Sequence, residues 1–77
     1  MASKLPSRIV DELVSAGWKR DDVKRDDVWL RDGVRLIVAQ ASTSNTMFSV
    51  EWSRLGVTRV QFLPEHQLSR VIDNGSF

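Results

Sequence analysis

The sequence predicts a small α+β domain: an N-terminal helix, a four-stranded antiparallel β-meander and a short C-terminal helix. Three observations carry that reading. Apolar residues recur at helical spacing near the start, alternate with polar ones from Val28 onward, and return to helical spacing after Pro64. A chain of 77 residues supports one hydrophobic core, so residues 1–77 form a single domain. Its 42% hydrophobic and 27% charged residues are those of a folded globular protein, expected to need no partner to fold.

The first helix is placed at 6–16. Pro6 suits a first turn, Ile9, Val10, Leu13, Val14 and Ala16 share one side, and Gly17 supplies a left-handed stop. Trp18 follows at once and is expected to pack back on the core. Next comes a tandem pentapeptide, Lys19 to Val23 repeated as Lys24 to Val28, whose five-residue period fits neither helix nor strand. It reads as a charged connector over 19–27.

The strands are predicted at 28–31, 34–40, 47–53 and 57–63, with a polar turn at Ala41 to Thr46. Register is chosen by asking which loop keeps one face apolar. A three-residue loop at Arg54-Leu55-Gly56 pairs Phe48 with Phe62, Val50 with Val60 and Trp52 with Thr58. A two-residue loop would set Trp52 against Arg59 and Val50 against Gln61, mixing the faces. The same test at Arg31-Asp32-Gly33 pairs Leu30 with Val34 and Val28 with Leu36, and places Trp29 opposite Arg35. The final helix, at 64–73, opens on Pro64, aligns Leu68, Val71 and Ile72, and stops at Asn74-Gly75. The expected core joins Ile9, Leu13, Val28, Leu30, Val34, Leu36, Val38, Phe48, Val50, Trp52, Val60, Phe62, Leu68 and Val71.

Composition narrows function mostly by exclusion. Without cysteine there is no disulfide, zinc-thiolate or thiol-nucleophile chemistry, and a cytoplasmic setting is the default. No apolar run approaches the length of a membrane span, so no membrane association is expected. The net charge of +1 gives little attraction for a polyanion, although between Val34 and Leu63 the charges are Arg35, Arg54 and Arg59 against Glu51 alone. His66 is the single histidine and has no triad. Ser69 lacks an oxyanion loop, and no phosphate-binding or dinucleotide motif occurs. No catalytic residue and no cofactor are expected. The carboxylates Asp21, Asp22, Asp26 and Asp27 lack the glycine turn and distal glutamate of an ion loop and lie among Lys19, Arg20, Lys24 and Arg25, so no metal site is expected either.

The stretch Leu13-Val-Ser-Ala-Gly-Trp18 resembles the opening of the HicA-type mRNA interferase toxins, whose fold is similar to a double-stranded-RNA-binding domain. That family carries a catalytic histidine just after its first strand. The matching region, Lys19 to Val28, contains none, so the resemblance implies a related topology and not the activity.

The predicted register leaves Trp29, Arg35, Ile37, Ala39, Ser49, Glu51, Ser53, Val57, Arg59 and Gln61 on a second sheet face, to be either exposed or crossed by a helix. Tryptophan and arginine are the residue types most enriched at interface hot spots. The expectation is a non-catalytic regulator or inhibitor that binds a larger protein through Trp29, Arg35 and Arg59, with Arg31 and Arg54 reaching in from the loop tips. The alternative is weak single-stranded nucleic-acid binding on the same face, and a homodimer is compatible with either.

Overall fold

A computed structural model describes residues 5–21, 27–41 and 46–77. The order is α1 (Ser7–Ser15), β1 (Lys19–Arg20), β2 (Val28–Arg31), β3 (Val34–Gln40), β4 (Met47–Arg54), β5 (Val57–Pro64) and α2 (Glu65–Asn74). The α+β class and the helix–meander–helix order match the sequence reading. The sheet, however, has five antiparallel strands, in the order β1-β2-β3-β4-β5. The strand missed is β1, which pairs Lys19 with Leu30 and Arg20 with Trp29. Two residues are too few for alternation to reveal them. Residues 22–26 of the pentapeptide repeat, and 42–45 of the turn expected at Ala41 to Thr46, lie outside the described residues.

The helix ends follow from their sequences. Gly17, at φ 92°, closes α1: its amide donates to Val14 O at 3.1 Å, and the Trp18 amide donates to Leu13 O at 3.0 Å. This is the paired C-terminal bonding that a left-handed glycine permits, with Trp18 and Leu13 both buried beside it. Pro64 caps the start of α2, and Gly75, at φ 77°, ends it with a 2.7 Å bond to Val71 O.

Both hairpins turn in two residues, not three. Arg31 pairs with Val34 across Asp32 (φ 50°) and Gly33 (φ 79°), and Arg54 pairs with Val57 across Leu55 (φ 51°) and Gly56 (φ 82°). Two consecutive left-handed residues define the type I′ turn, whose twist matches that of the strands it joins. Trp29 therefore faces Leu36, Leu30 faces Arg35, Trp52 faces Arg59 and Val50 faces Gln61. The predicted opposition of Trp29 and Arg35 does not occur. The apolar-face criterion assumed that both faces of every strand are sorted by one core. It fails for β5, an edge strand whose residues 57–62 are all exposed.

Both helices pack on one face of the sheet. The core there comprises Ile9 and Leu13 of α1, Leu68, Val71 and Ile72 of α2, and Trp29, Val34, Leu36, Val38, Phe48 and Val50 of the sheet, with Leu5, Trp18 and Leu63 at its margin. Leu30, Val60 and Phe62, expected in the core, are exposed instead. Val28 is buried outside the main cluster, and Trp52 is partly buried against it. Each fully buried large aliphatic or aromatic side chain contributes about 1.5–3 kcal/mol.

The C-terminal turn of α2 is held by side chains from three distant places. Trp18 Nε1 donates to Ile72 O at 2.8 Å, Arg31 Nη1 donates to the same oxygen at 3.1 Å, and Trp52 Nε1 donates to Gly75 O at 2.8 Å. Arg31 also donates to Ala16 O at 2.9 Å and Asp73 O at 3.2 Å, and its guanidinium lies 5.1 Å from the Trp18 ring centroid. One arginine thus satisfies carbonyls at the ends of both helices, where helical bonding leaves them open. A Cβ on Gly75 would sit 3.3 Å from Arg31 Nη2, whereas one on Gly33 would meet nothing within 4 Å. Both positions have positive φ. Gly75→Ala and Gly33→Ala should each cost about 1–2 kcal/mol of left-handed strain, with Gly75→Ala the more damaging. Urea unfolding midpoints test this, and equal losses would mean that Arg31 yields without cost.

Candidate binding surface

The face of the sheet away from the helices is built by alternation. Residues opposite one another in register place Leu30, Arg35, Ser53 and Thr58 across one row, and Ile37, Glu51 and Val60 across the next. Ala39, Ser49 and Phe62 make a third row. Among the described residues neither helix covers these rows. Val60 is 56% exposed and Phe62 65%, so the β5 end of the face is an open apolar strip, while Leu30, at 41%, is exposed at the β2 end. Scattered exposed apolar residues are ordinary; here two of them, one an aromatic ring, are neighbours on one face of an edge strand.

The β4–β5 turn adds a second feature. Leu55 is 91% exposed and holds φ 51°, a conformation that asparagine, aspartate and glycine accept and a leucine does not favour. Among the described residues nothing repays that strain, since Leu55 buries less than a tenth of its surface against its own domain.

The five residues expected at the binding site are dispersed. Arg35 lies exposed on the outer face. Arg54 is exposed beside the Leu55 tip, and Arg59 is exposed on the helix-side face of β5, opposite Trp52. Trp29 is 2% exposed, its indole in the core among residues from the sheet and both helices. Arg31 is turned inward onto the helix ends. Arg35, Arg54 and Arg59 are therefore the exposed members of the expected set, and they point to different faces of the sheet. The residues overlooked, Leu55, Val60 and Phe62, carry a sequence signal only if the two-residue turn is adopted, because that turn is what sends Val60 and Phe62 outward.

Elsewhere several polar side chains are engaged within the fold. Arg8 Nε donates to both Glu65 carboxylate oxygens, at 2.9 and 3.0 Å, joining α1 to α2. That hydrogen bonding holds the Glu65 carboxyl below its ordinary range, against a smaller opposing effect of burial. Ser69 Oγ donates to Glu12 Oε2 at 2.8 Å, an inter-helix contact rather than a nucleophile with a base and an oxyanion site. Asp27 is buried and pairs with Arg20 at 3.4 Å, while Asp22 and Asp26 of the acidic cluster lie outside the described residues. Among the described residues no three histidine, aspartate or glutamate side chains converge as for a metal, and no helix is long and apolar enough to cross a membrane.

Comparison with protein-family models, curated proteins and solved structures finds no match.

Proposed function

We propose that this chain is a small non-catalytic protein-binding domain, a regulator or inhibitor of a larger protein, that docks through the β4–β5 tip and the outer sheet face. The observation that carries the reading is Leu55, an almost fully exposed apolar residue kept in a left-handed turn position. Strained positions persist where they serve contact or catalysis, and here the strain presents a hydrophobic side chain at the end of a rigid hairpin. Val60 and Phe62 extend the apolar contact along β5. Arg35 and Arg54 supply the charged rim that steers association more than it holds it.

The test uses two variants with opposite demands. Leu55→Asn suits a type I′ turn and should stabilise the fold by about 0.5–1 kcal/mol. If the tip is an anchor, the same variant should lose a partner that the tagged wild-type protein captures stoichiometrically from nuclease-treated lysate. Phe62→Ser should weaken capture without lowering stability appreciably. Capture unchanged in both variants would sink the assignment.

A nucleic-acid reading draws on one specific arrangement: Phe62 and Arg35 share the outer face, where a ring can stack on a base while a guanidinium holds a phosphate. It predicts co-purifying RNA or DNA and affinity falling with salt. The net charge of +1 and Glu51 between those residues favour the protein partner.

A further inference from the structure

The two edges of the sheet are not alike. At one end β1 is two residues long, Lys19 and Arg20, followed by Asp21, which is the short charged edge that resists strand addition. At the other end β5 runs eight residues, Val57–Pro64, with Arg59 its single charge. Its free side can be read from the turn. In a two-residue hairpin the closing pair, here Arg54 and Val57, exchanges both backbone bonds, and bonded pairs then alternate. Val57, Arg59, Gln61 and Leu63 are thus tied to β4. Thr58, Val60 and Phe62 turn their N–H and C=O groups outward, and among the described residues no backbone group meets them.

We propose that this edge pairs with the same edge of a second copy of the chain, antiparallel and centred on Val60. The register is self-complementary. With Val60 opposite Val60 of the second copy, all three outward-facing residues bond: Val60 to its equivalent and Thr58 to Phe62 in both directions. Arg59 then faces Gln61 of the second copy. Centring on Arg59 would stack arginine on arginine, and centring on Gln61 would leave Thr58 without a bonding partner. A two-fold axis normal to the sheet brings both outer faces to one side and both helix layers to the other. The ring of Phe62, exposed in the single copy, covers Thr58 of its neighbour. This pairing uses the backbone edge and stands apart from the role of the Leu55 tip, which it leaves free.

Light scattering of the purified protein alone, over a dilution series, should show a mass near twice the 8.8 kDa of the chain at high concentration, falling toward one copy on dilution. Residue-resolved hydrogen exchange should show the Thr58, Val60 and Phe62 amides protected only at the dimeric end of that series. Val60→Pro deletes the central outward N–H without touching the β4 ladder, a position where edge strands tolerate proline. It should keep the wild-type circular dichroism and weaken self-association by at least tenfold. Thr58→Pro, likewise outward, should do the same and covers the case in which Val60→Pro misfolds. A wild-type protein that is monomeric throughout overturns the proposal. So does a dimer whose edge amides exchange freely, which would mean packing through the outer faces, or a dimer that both folded proline variants retain. Loss of partner capture in Leu55→Asn with dimerisation intact separates the two readings.

Discussion

Trp29→Ala is expected to leave the domain largely unfolded at 37 °C. The indole is 2% exposed, faces Leu36 across the β2–β3 ladder and belongs to the cluster joining the sheet to both helices. Truncating a buried tryptophan costs about 3–5 kcal/mol in transfer and cavity terms. At about 0.05–0.15 kcal/mol per residue, the whole stability of a domain this small is of the same order. Trp29→Phe is the informative companion. The Trp29 indole N–H is buried and meets no hydrogen-bond acceptor among the described residues, so phenylalanine removes an unsatisfied donor, worth about 1–3 kcal/mol, while it opens a small cavity. The two effects oppose, and the net change should stay within about 1.5 kcal/mol. Urea unfolding followed by far-ultraviolet circular dichroism reads both. An alanine variant within 1 kcal/mol of wild type would put Trp29 on the solvent side and restore the three-residue turn.

Arg31→Ala should be the second most damaging single change, at about 3 kcal/mol. It removes hydrogen bonds to Ala16 O, Ile72 O and Asp73 O together with the stacking on Trp18. Each bond from a charged donor contributes about 1.5–3 kcal/mol, and the partly buried carbonyls left behind add their own desolvation cost. The partial exposure of Arg31 lowers the sum toward the single-bond value. Arg31→Lys keeps the charge but cannot span three carbonyls with one ammonium, so it should recover less than half of the loss. Full rescue by lysine would show that charge alone matters there and that the fork geometry is incidental.

The contrast between these two residues shows what the sequence disclosed. Helix positions, stops and the alternation of β3 were legible because each rests on a local rule: Gly17 and Gly75 close helices, Pro64 opens one, and Val34, Leu36 and Val38 face the core. Register was not, because β2 reads Val28-Trp29-Leu30 with three apolar residues in succession, and either parity looks acceptable. Asp32-Gly33 names the two-residue turn directly, and that local signal outweighs the apolar-face test, which presumed that Val60 and Phe62 belonged in the core. The candidate surface moved with the register. An inward arginine such as Arg31 is indistinguishable in sequence from an exposed one, since its acceptors are carbonyls contributed by residues 15 to 42 positions away.

The three side chains that grip the end of α2 also set an order in time. Their hydrogen bonds close segments of very different span, 23 residues for Trp52 to Gly75, 41 for Arg31 to Ile72 and 54 for Trp18 to Ile72. Closing the longest from an open chain costs about 0.8 kcal/mol more entropy than closing the shortest. The β2–β3 and β4–β5 hairpins, by contrast, close across two residues each, and the pairing of β3 with β4 then sets Arg31 and Trp52 in one sheet before the helix arrives. Docking of α2 is therefore expected to be the late event on the folding path. In the same denaturant series run as kinetics, Arg31→Ala should speed unfolding far more than it slows folding.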